Sequence, residues 1–235
     1  MNSQGILVFA RMNSARLPGK VLMDFGGMPM LLWIMRRAQL LDAPIALACS
    51  SESTDDELAR CATEAGFAIF RGELDDVLAR AIAAAKHFSW THIARLCADR
   101  PFFDTDEMRT GLAIAAEQPA LDLISNNLTG QALAGLTTEI IRIKALEMAA
   151  TNSTLTRHRE HLSAYLYDHR AEFQTLSLTQ NTLPTWLKTS HFAVDTLADY
   201  QRLSLVAQNR TPSVTLENAF QSERARVENL AAARA

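Results

Sequence analysis

The segment from Ala10 to Lys20 places three cations and a turn directly after a short apolar run. Arg11 and Arg16 can each donate two hydrogen bonds to phosphate oxygens, and Lys20 adds a mobile point charge. Pro18-Gly19 bends the chain, so that backbone N–H groups can face the same anion. This pattern predicts a nucleoside triphosphate site at the end of a strand. The alternative is a solvated basic loop, because short motifs also match by chance.

Two carboxylates follow apolar stretches and are candidate metal ligands. Asp99 comes directly after a predicted strand, and Asp195 follows the apolar residues 192–194. Mg²⁺ prefers one or two carboxylates together with substrate phosphates and water, so Asp99 is enough to begin a magnesium site. The alternative role for Asp99 is a helix cap, which Asp104 or Thr105 fills more naturally. Asp195 alone would be an N-cap by default, and only together with Asp99 does it become a second metal ligand.

Further charged residues lie close to predicted strand and helix ends. Arg71 follows the third predicted strand and is expected near the nucleotide, whereas Asp75 and Asp76 favour the positive end of the helix that they open. Arg159-Glu160-His161 clusters charge on a predicted helix in the second half of the chain. This cluster could bind an acidic substrate or form a solvated face. Spacing alone does not decide, because neighbouring residues point in different directions around a helix.

The composition indicates a globular protein whose ligands are small molecules. With 235 residues, 48% of them hydrophobic, the chain can bury the core of one large domain spanning residues 1–235. A formal net charge of -3 argues against a nucleic-acid partner, which would favour a basic surface. No apolar run reaches membrane-spanning length, and the N-terminal run stops at Arg11, which argues against a signal peptide. We therefore expect a cytoplasmic protein without a membrane partner.

Short apolar runs alternate with helix-period segments in the first half of the chain. The predicted strands span residues 6–10, 45–50, 68–70 and 93–98, and the predicted helices span 30–41, 55–65 and 75–87. This repetition predicts a mainly parallel sheet with right-handed crossovers. Ligands of such sheets bind at the carboxyl ends of the strands, where Arg11 and Asp99 fall.

The second half predicts a smaller lobe inserted over the active face, at about residues 125–190. The predicted elements are strands at 121–125, 139–143 and 173–176, a helix at 156–169, a returning strand at 191–194 and a helix at 199–207. Residues 214–235 predict a terminal helix that docks on the domain or dimerises. The predicted fold class is therefore α/β, with a Rossmann-like mixed, mainly parallel sheet flanked by helices.

Several motifs occur in the same order as in a known family. They are Arg11, Ser14, Arg16 and the Leu-Pro-Gly-Lys run 17–20; Gly26-Gly27 with Pro29; 70–72 with 75–78; 159–161 with Tyr165 and Tyr167; and 194–196 with Asp199-Tyr200. Together they resemble the cytidylyltransferase family that includes acylneuraminate and 3-deoxy-manno-octulosonate cytidylyltransferases, and most closely its spore-coat polysaccharide branch. The resemblance spans most of the chain.

The resemblance implies a nucleotidyltransferase fold of the glycosyltransferase-A type that binds CTP and Mg²⁺, transfers CMP to an acceptor and releases pyrophosphate. On this template the loop with Ala10 and Ser14 holds the triphosphate through Arg11, Arg16 and Lys20; Arg71 lies near the cytosine; and Asp99 and Asp195 hold the metal. Catalysis would consist mainly of positioning and charge stabilisation. The family acts on 3-deoxy sugar acids, which implies an acidic small-molecule acceptor and a role in surface polysaccharide biosynthesis.

Three departures from the family pattern bear on the acceptor. Asn13 stands where the branch usually has Gly, residues 98–101 replace a Gly-Asp-Cys-Pro-like turn, and Thr137 stands where an acidic residue is common. Ala in place of Gly at position 98 restricts the backbone near the metal. Glu139 becomes the nearer candidate for substrate hydroxyls, and Arg100 adds a cation that suits a carboxylate, phosphate or phosphonate. The predicted acceptor site thus comprises Arg100, Glu139, Arg159, Glu160 and His161.

Two other functions stay open at this point. A nucleotide-sugar-dependent glycosyltransferase would use the same fold and metal logic, although a triphosphate needs more cations than a nucleotide diphosphate sugar does. A nucleotide-binding protein without turnover is compatible with the altered turn at 98–101, although Arg11, Lys20 and Asp99 are all retained. Relatives often dimerise through the second lobe, so we expect a homodimer, with Trp186 and the terminal helix as candidate contact surfaces.

Overall fold

One mixed sheet of seven strands runs through the computed structural model, which describes residues 3–178 and 191–221. The strands are β1 (Gln4–Phe9), β2 (Ile45–Ser50), β3 (Ala68–Gly72), β4 (His92–Cys97), β5 (Leu123–Ser125), β6 (Glu139–Arg142) and β7 (Thr175–Ser177). They lie in the order β3-β2-β1-β4-β6-β5-β7. β1 to β4 run parallel, β6 is antiparallel to β4 and β5, and β7 is parallel to β5. The predicted mixed, mainly parallel sheet is confirmed.

Helices cover both faces of the sheet. They are α1 (Met30–Ala38), α2 (Asp56–Glu64), α3 (Val77–His87), α4 (Thr105–Glu117), α5 (Ile143–Asn152), α6 (Thr156–Glu160), α7 (Ala164–Asp168) and α8 (Leu197–Ala207). Alternate residues of β1 point to opposite faces and enter two cores. Ile6 and Val8 belong to the core with α1, α2, α4 and α8, whereas Leu7 and Phe9 belong to the core with α3, α5 and α7. No helix in the described part of the chain is long and apolar enough to span a membrane.

The first half of the chain follows its predicted element order. β2 has the predicted bounds, and α1, α2 and α3 begin within two residues of their predicted starts. Asp76 caps α3 by accepting a hydrogen bond from the Ala79 N–H, and Asp104 caps α4 by accepting from the N–H groups of its first turn. Asp104 therefore fills the capping role that was the alternative for Asp99.

The predicted strand at residues 191–194 is wrong. The Phe192 N–H donates to the Ala134 carbonyl, and the Val194 N–H donates to the Asp99 carbonyl, each at 2.8 Å. Single hydrogen bonds from a loop and a turn hold this segment, and no strand ladder forms there. Its apolar residues are buried all the same, which explains why the sequence pattern is typical of a strand.

The predicted helix over residues 156–169 is interrupted. It forms as α6 and α7, and between them the backbone at His161 is extended, with φ -109° and ψ 96°. The interruption turns Leu162 and Ser163 inward, where both are buried. Burial of these two side chains therefore overrides the helical pattern of the segment.

Parts of two expectations fall outside the described residues. Of the lobe predicted at 125–190, residues 125–178 are described, and their strands extend the main sheet. Of the terminal helix predicted at 214–235, residues 216–221 are helical. Trp186 and residues 222–235 lie outside the described residues, so the dimer contacts assigned to them stay predictions.

The loop between β5 and β6 packs against the segment that leads to Asp195. Gly135 lies in this loop with φ +90°, in the left-handed region that favours glycine. A Cβ at this position would lie 2.2 Å from the backbone carbonyl carbon of Phe192. The close backbone approach at Gly135 therefore sets the path of the chain toward Asp195.

Glu107 on α4 ties this helix to the same loop. Its Oε2 accepts hydrogen bonds from Asn126 Nδ2 at 2.7 Å and from Thr138 Oγ1 at 3.3 Å. Its Oε1 is buried and has no hydrogen-bond partner among the described residues. Burial raises the pKa of this carboxyl from 4.5 to about 7, because desolvation disfavours the charged form.

Gly135→Ala is expected to destabilise the protein, because the methyl group would overlap the Phe192 backbone while the residue keeps a positive φ. We expect the free energy of unfolding, measured by urea denaturation, to fall by about 2–4 kcal/mol. Gly130→Ala is the control, since Gly130 lies in the same loop with φ +74° and no atom lies within 4 Å of an added Cβ. This control is expected to lose about 1 kcal/mol. Equal losses in the two variants would contradict the role of the Phe192 contact.

The raised pKa of Glu107 predicts that stability falls as the pH rises. The stabilising contribution of the protonated carboxyl is fully present below pH 4.5 and is lost as the pH passes about 7. Glu107→Gln keeps an oxygen acceptor but does not titrate. Between about pH 5 and pH 8, the free energy of unfolding of the wild type should fall by about 2 kcal/mol relative to this variant. Glu117→Gln, at an exposed position of α4, should behave as the wild type does. If the free energy of unfolding of the wild type changed with pH as that of Glu107→Gln does, the raised pKa of Glu107 would be refuted.

Candidate functional site

The loop that follows β1 is folded onto the neighbouring strand. The Met12 N–H donates to Asp55 Oδ1 at 2.8 Å, and Asp55 Oδ2 accepts from the N–H and Oγ of Ser50 at 2.9 and 2.6 Å. Gly19, with φ +72°, donates its N–H to the Met12 carbonyl at 2.9 Å. This N–H closes the loop, although the sequence predicts that N–H groups of the Pro18-Gly19 turn face an anion. The loop therefore presents a fixed backbone to the site.

The ammonium of Lys20 lies between the two predicted metal ligands. Lys20 Nζ donates to Asp99 Oδ2 at 3.1 Å and to the Val194 carbonyl at 2.6 Å, and it lies 3.8 Å from Asp195 Oδ1. Arg16 Nη2 donates to the same Asp195 oxygen at 2.7 Å. The Lys20 side chain is 9% exposed, whereas that of Arg16 is 64% exposed. The structure thus brings together four residues that the sequence predicts for one site.

Asp195 does not cap the helix that follows it. Thr196 is the N-cap of α8 and forms a capping box with Asp199, in which each side chain accepts a hydrogen bond from the other residue's N–H. Asp195 Oδ2 instead lies 3.2 Å from His191 Nε2. The Asp195 carboxylate is therefore not used as a helix cap, and its oxygens face Arg16, Lys20 and His191.

A divalent metal ion fits the donor set around Lys20. The Lys20 ammonium already lies as a cation between Asp99 and Asp195. Mg²⁺ takes oxygen ligands, usually one or two carboxylates completed by substrate phosphates and water. Within residues 3–178 and 191–221, no group of three or more His, Cys, Asp or Glu side chains could hold a metal ion. A metal at this site would therefore take part of its coordination from a bound ligand.

The turn at residues 98–101 accommodates its departure from the family pattern. None of these residues has a positive φ, so Ala98 fits where the resembled family has Gly. Arg100 Nη1 donates to the Thr137 carbonyl at 3.0 Å, which ties the turn to the loop between β5 and β6. The backbone beside Asp99 is therefore in a conformation that alanine adopts freely.

An open cavity of about 290 Å³ lies at the carboxyl ends of β1 and β4. Nine predicted site residues line it: Ala10, Arg11, Ser14, Arg16, Lys20, Asp99, Glu160, His161 and Asp195. Two larger surface grooves, each of about 480 Å³, contain no predicted site residue. Because ligands of open α/β sheets bind at strand carboxyl ends, the cavity is the candidate active site.

Four predicted residues do not line this cavity. Arg71 donates to backbone carbonyls at and after the end of β2, at 2.9 and 2.8 Å, and Arg159 donates to a carbonyl of α5 at 2.7 Å. Arg100 is held by the loop between β5 and β6, and Glu139 is only 1% exposed. These four side chains therefore hold the fold together, and their contacts with a nucleotide or an acceptor stay predictions.

Two arginines that the sequence analysis does not single out complete the cavity wall. Arg80 on α3 and Arg95 on β4 both line it. Arg80 donates to the carbonyls of Glu73 and Leu74 and is 4% exposed. Burial lowers the pKa of Arg80, and the nearby charge of Arg11 acts in the same direction. Arg95 interrupts an otherwise apolar run, and this interruption is the one signal in the sequence that could indicate it.

The charges around the cavity suit an anion that arrives with a cation. Five cationic side chains line it (Arg11, Arg16, Lys20, Arg80 and Arg95), against three carboxylates (Asp99, Glu160 and Asp195). The positive excess attracts an anion, and the two acids beside Lys20 can share a metal ion with it. The site can therefore bind a polyanion and stabilise negative charge that develops on it during a reaction.

Comparisons with known proteins find relatives along most of the chain. A family model described as cytidylyltransferase matches residues 6–225. The spore coat polysaccharide biosynthesis protein SpsF of Bacillus subtilis is 28% identical over 221 residues, which cover 88% of each protein. A cytidylyltransferase structure from Leptospira borgpetersenii matches with a TM-score of 0.87 at 23% identity, over 97% of this chain and 96% of that one. A CMP:2-keto-3-deoxy-manno-octonic acid synthetase in complex with CTP matches with a TM-score of 0.66 at 17% identity, over 87% and 98%.

Lys20→Met is expected to increase the response of the protein to Mg²⁺ alone. The wild-type ammonium competes with a divalent cation for Asp99 and Asp195, and the methionine side chain does not. The rise in thermal midpoint on adding MgCl₂, at ionic strength matched with NaCl, should therefore be larger in the variant than in the wild type. Lys86→Met removes an exposed cation paired with Glu147 and should respond as the wild type does. The same rise in all three proteins would place the cation elsewhere.

Proposed function

The chain belongs to the cytidylyltransferase family, and on this premise we propose that it transfers CMP from CTP to an acidic acceptor with release of pyrophosphate. The observation that carries the proposal is the position of Lys20 Nζ, between Asp99 and Asp195 and beside the arginine loop. This arrangement supports the proposal because it places cations that could bind a triphosphate beside two carboxylates that could bind a metal ion. The relative SpsF, named for spore coat polysaccharide biosynthesis, supports an acceptor that belongs to a surface polysaccharide.

The first loop would hold the triphosphate. Arg11 and Arg16 face the cavity from exposed positions and can turn their guanidinium groups onto phosphate oxygens. Lys20 is already inside, at the carboxylate pair. Asp99 and Asp195 would hold a metal ion, and the Lys20 ammonium beside them would then be free to contact the phosphates. The three cations then neutralise charge on the departing pyrophosphate.

Asp99 and Asp195 are the residues that would hold Mg²⁺. The ion would supply charge neutralisation on the phosphate oxygens and act as a Lewis acid. The acceptor hydroxyl oxygen would form a new bond to the α-phosphorus while the bond to the bridging oxygen of pyrophosphate breaks, and the hydroxyl proton would pass to solvent. The loop residues orient the triphosphate for this displacement, and Glu160 and His161 border the space left for the acceptor.

Two further features complete the proposal. A homodimer is proposed because the resembled family commonly dimerises through its second lobe, and α8 exposes Leu197 and Leu205, which are 52% and 68% exposed. A cytoplasmic location is proposed because the reaction consumes a nucleoside triphosphate from the intracellular pool.

The proposal predicts selective binding of CTP followed by turnover. With Mg²⁺ present, the thermal midpoint should rise with CTP and not with UTP, ATP or GTP, because only a ligand of the folded state raises it. Pyrophosphate release should then depend on an acidic acceptor. Asp99→Asn should lower turnover by about 100-fold or more, whereas Asp106→Asn, at an exposed position of α4, should leave it unchanged.

Each alternative gives a different result in the same assays. A rise in the midpoint with a nucleotide-sugar, and with no triphosphate, would favour a glycosyltransferase. A rise with CTP, but no pyrophosphate release with any sugar acid tested, would favour a nucleotide-binding protein without turnover. A rise of equal size with all four triphosphates would contradict selectivity for cytosine.

A further inference from the structure

Arg95 carries a charge into the middle of the sheet. It lies on β4, between β1 and β6, and its neighbours Ala94 and Leu96 are buried in the core. A buried guanidinium is costly unless its charge and its N–H groups are paired. The structure therefore has to supply a partner for Arg95 within the fold.

That partner is Glu139 on β6. The antiparallel register pairs Ala94 with Ile140, which places Glu139 opposite Arg95. Arg95 Nη1 donates to Glu139 Oε2 at 2.5 Å, and Glu139 is 1% exposed. The contact that the sequence predicts between Glu139 and substrate hydroxyls stays a prediction, and the carboxylate is the buried counter-charge of Arg95.

Other side chains occupy the second oxygen of Glu139. Glu139 Oε1 accepts from Ser163 Oγ at 2.8 Å and from Tyr167 Oη at 2.9 Å. Although burial would raise the pKa of Glu139, the charge and hydrogen bond of Arg95 hold it below its ordinary value. The carboxylate is therefore ionised, and three hydrogen-bond donors fix its orientation toward Arg95.

Arg95 keeps hydrogen-bonding capacity on its cavity side. A guanidinium has five N–H groups, and among the described residues Glu139 is the only hydrogen-bond acceptor of the Arg95 side chain. The Arg95 side chain is 18% exposed, and the residue lines the cavity. A fixed guanidinium with free N–H groups in a cavity is a receptor for an oxyanion.

The position of Arg95 points to the acceptor rather than to the triphosphate. Its partner Glu139 is bonded to Ser163, two residues after His161, so Arg95 belongs to the side of the cavity bordered by the link between α6 and α7. Asp99, one of the two carboxylates beside Lys20, lines the same cavity as Arg95. An anion on Arg95 would therefore lie between that link and the carboxylate pair.

We propose that Arg95 binds the acidic group of the acceptor, and that this group is a carboxylate. The inference rests on the proposed transferase function. Glu139 already balances the charge of Arg95, so a monoanion adds less uncompensated charge here than a phosphate dianion does. A planar carboxylate also matches two N–H groups of one guanidinium. Selection of a sugar acid would then depend on a cross-strand pair at the base of the cavity.

The test compares wild type, Arg95→Gln and Arg60→Gln. Arg60 is an exposed arginine of α2, paired with Glu64, and serves as the matched control. The probes are 3-deoxy-manno-octulosonate, its uncharged methyl ester and inorganic phosphate, and the thermal midpoint is measured as each one is added. The response of the thermal midpoint to CTP with Mg²⁺ is measured in a separate titration. Wild type and Arg60→Gln should respond to the sugar acid more strongly than to the ester or to phosphate. Arg95→Gln should bind the acid about tenfold or more weakly and retain its response to CTP.

A second variant separates binding from folding. Arg95→Gln alone leaves Glu139 as an unpaired buried charge, and this could prevent folding. Arg95→Gln combined with Glu139→Gln removes both charges and should show the same loss of acid binding in a folded protein. Loss of the CTP response in the folded variants would assign Arg95 to the triphosphate and overturn the inference. Unchanged acid binding, a stronger response to phosphate, or no wild-type response to the acid would also overturn it. If the wild type did not respond to CTP but bound the acid, and Arg95→Gln weakened that binding, only the proposed function would be refuted.

Discussion

The ammonium of Lys20 is the point at which three distant parts of the chain meet. It holds Asp99, 79 residues away in sequence, and the Val194 carbonyl, 174 residues away. Removing Lys20 would leave the Asp99 and Asp195 carboxylates without the cation between them, and removing Asp99 would leave the nearly buried ammonium with Asp195, 3.8 Å away, as its charged partner. The first loop, the turn after β4 and the segment before α8 are therefore placed by a single electrostatic constraint.

The sheet order explains why these groups can meet. β1 and β4 are parallel neighbours in a register that pairs Phe9 with Cys97, so the residues that follow each strand emerge side by side. The segment before α8 reaches the same edge without joining the sheet, held by the close contact between Gly135 and Phe192. The loop with Lys20 and the turn with Asp99 thus follow two parallel strands, and the loop between β5 and β6 holds the segment before α8 beside them.

Much of this arrangement could be predicted from the sequence, because periodicity and strand ends carry the information. The alternation in the first half placed Arg11, Lys20 and Asp99 at one edge, and the apolar run at 192–194 indicated Asp195 as a second carboxylate. Arg80 and Arg95 could not be predicted in the same way. A single charge inside a helix or strand has no period, and pairing Arg95 with Glu139 requires the antiparallel register of β6, which the sequence does not reveal.

The two predictions that the structure corrects, the strand at 191–194 and the continuous helix at 156–169, also failed because of tertiary contacts. Residues 191–194 have the composition of a strand because they are buried, but their contacts are with the loop at Ala134, the turn at Asp99 and the ring of Phe220 instead of neighbouring strands. The break after α6 arises because Ser163 is needed at Glu139. Local pattern indicates whether a segment is buried, and tertiary contacts decide what form the buried segment takes.

The internal cation at Lys20 has a consequence for the order in which ligands associate. With an ammonium already at Asp99 and Asp195, the empty protein has little electrostatic reason to collect free divalent ions. On the proposed function, a metal that arrived as a complex with a nucleotide would bring phosphates that compensate the displaced ammonium, so both exchanges would occur in one event. Metal and nucleotide would then bind as a single unit, and the resting enzyme would be insensitive to fluctuations in magnesium concentration.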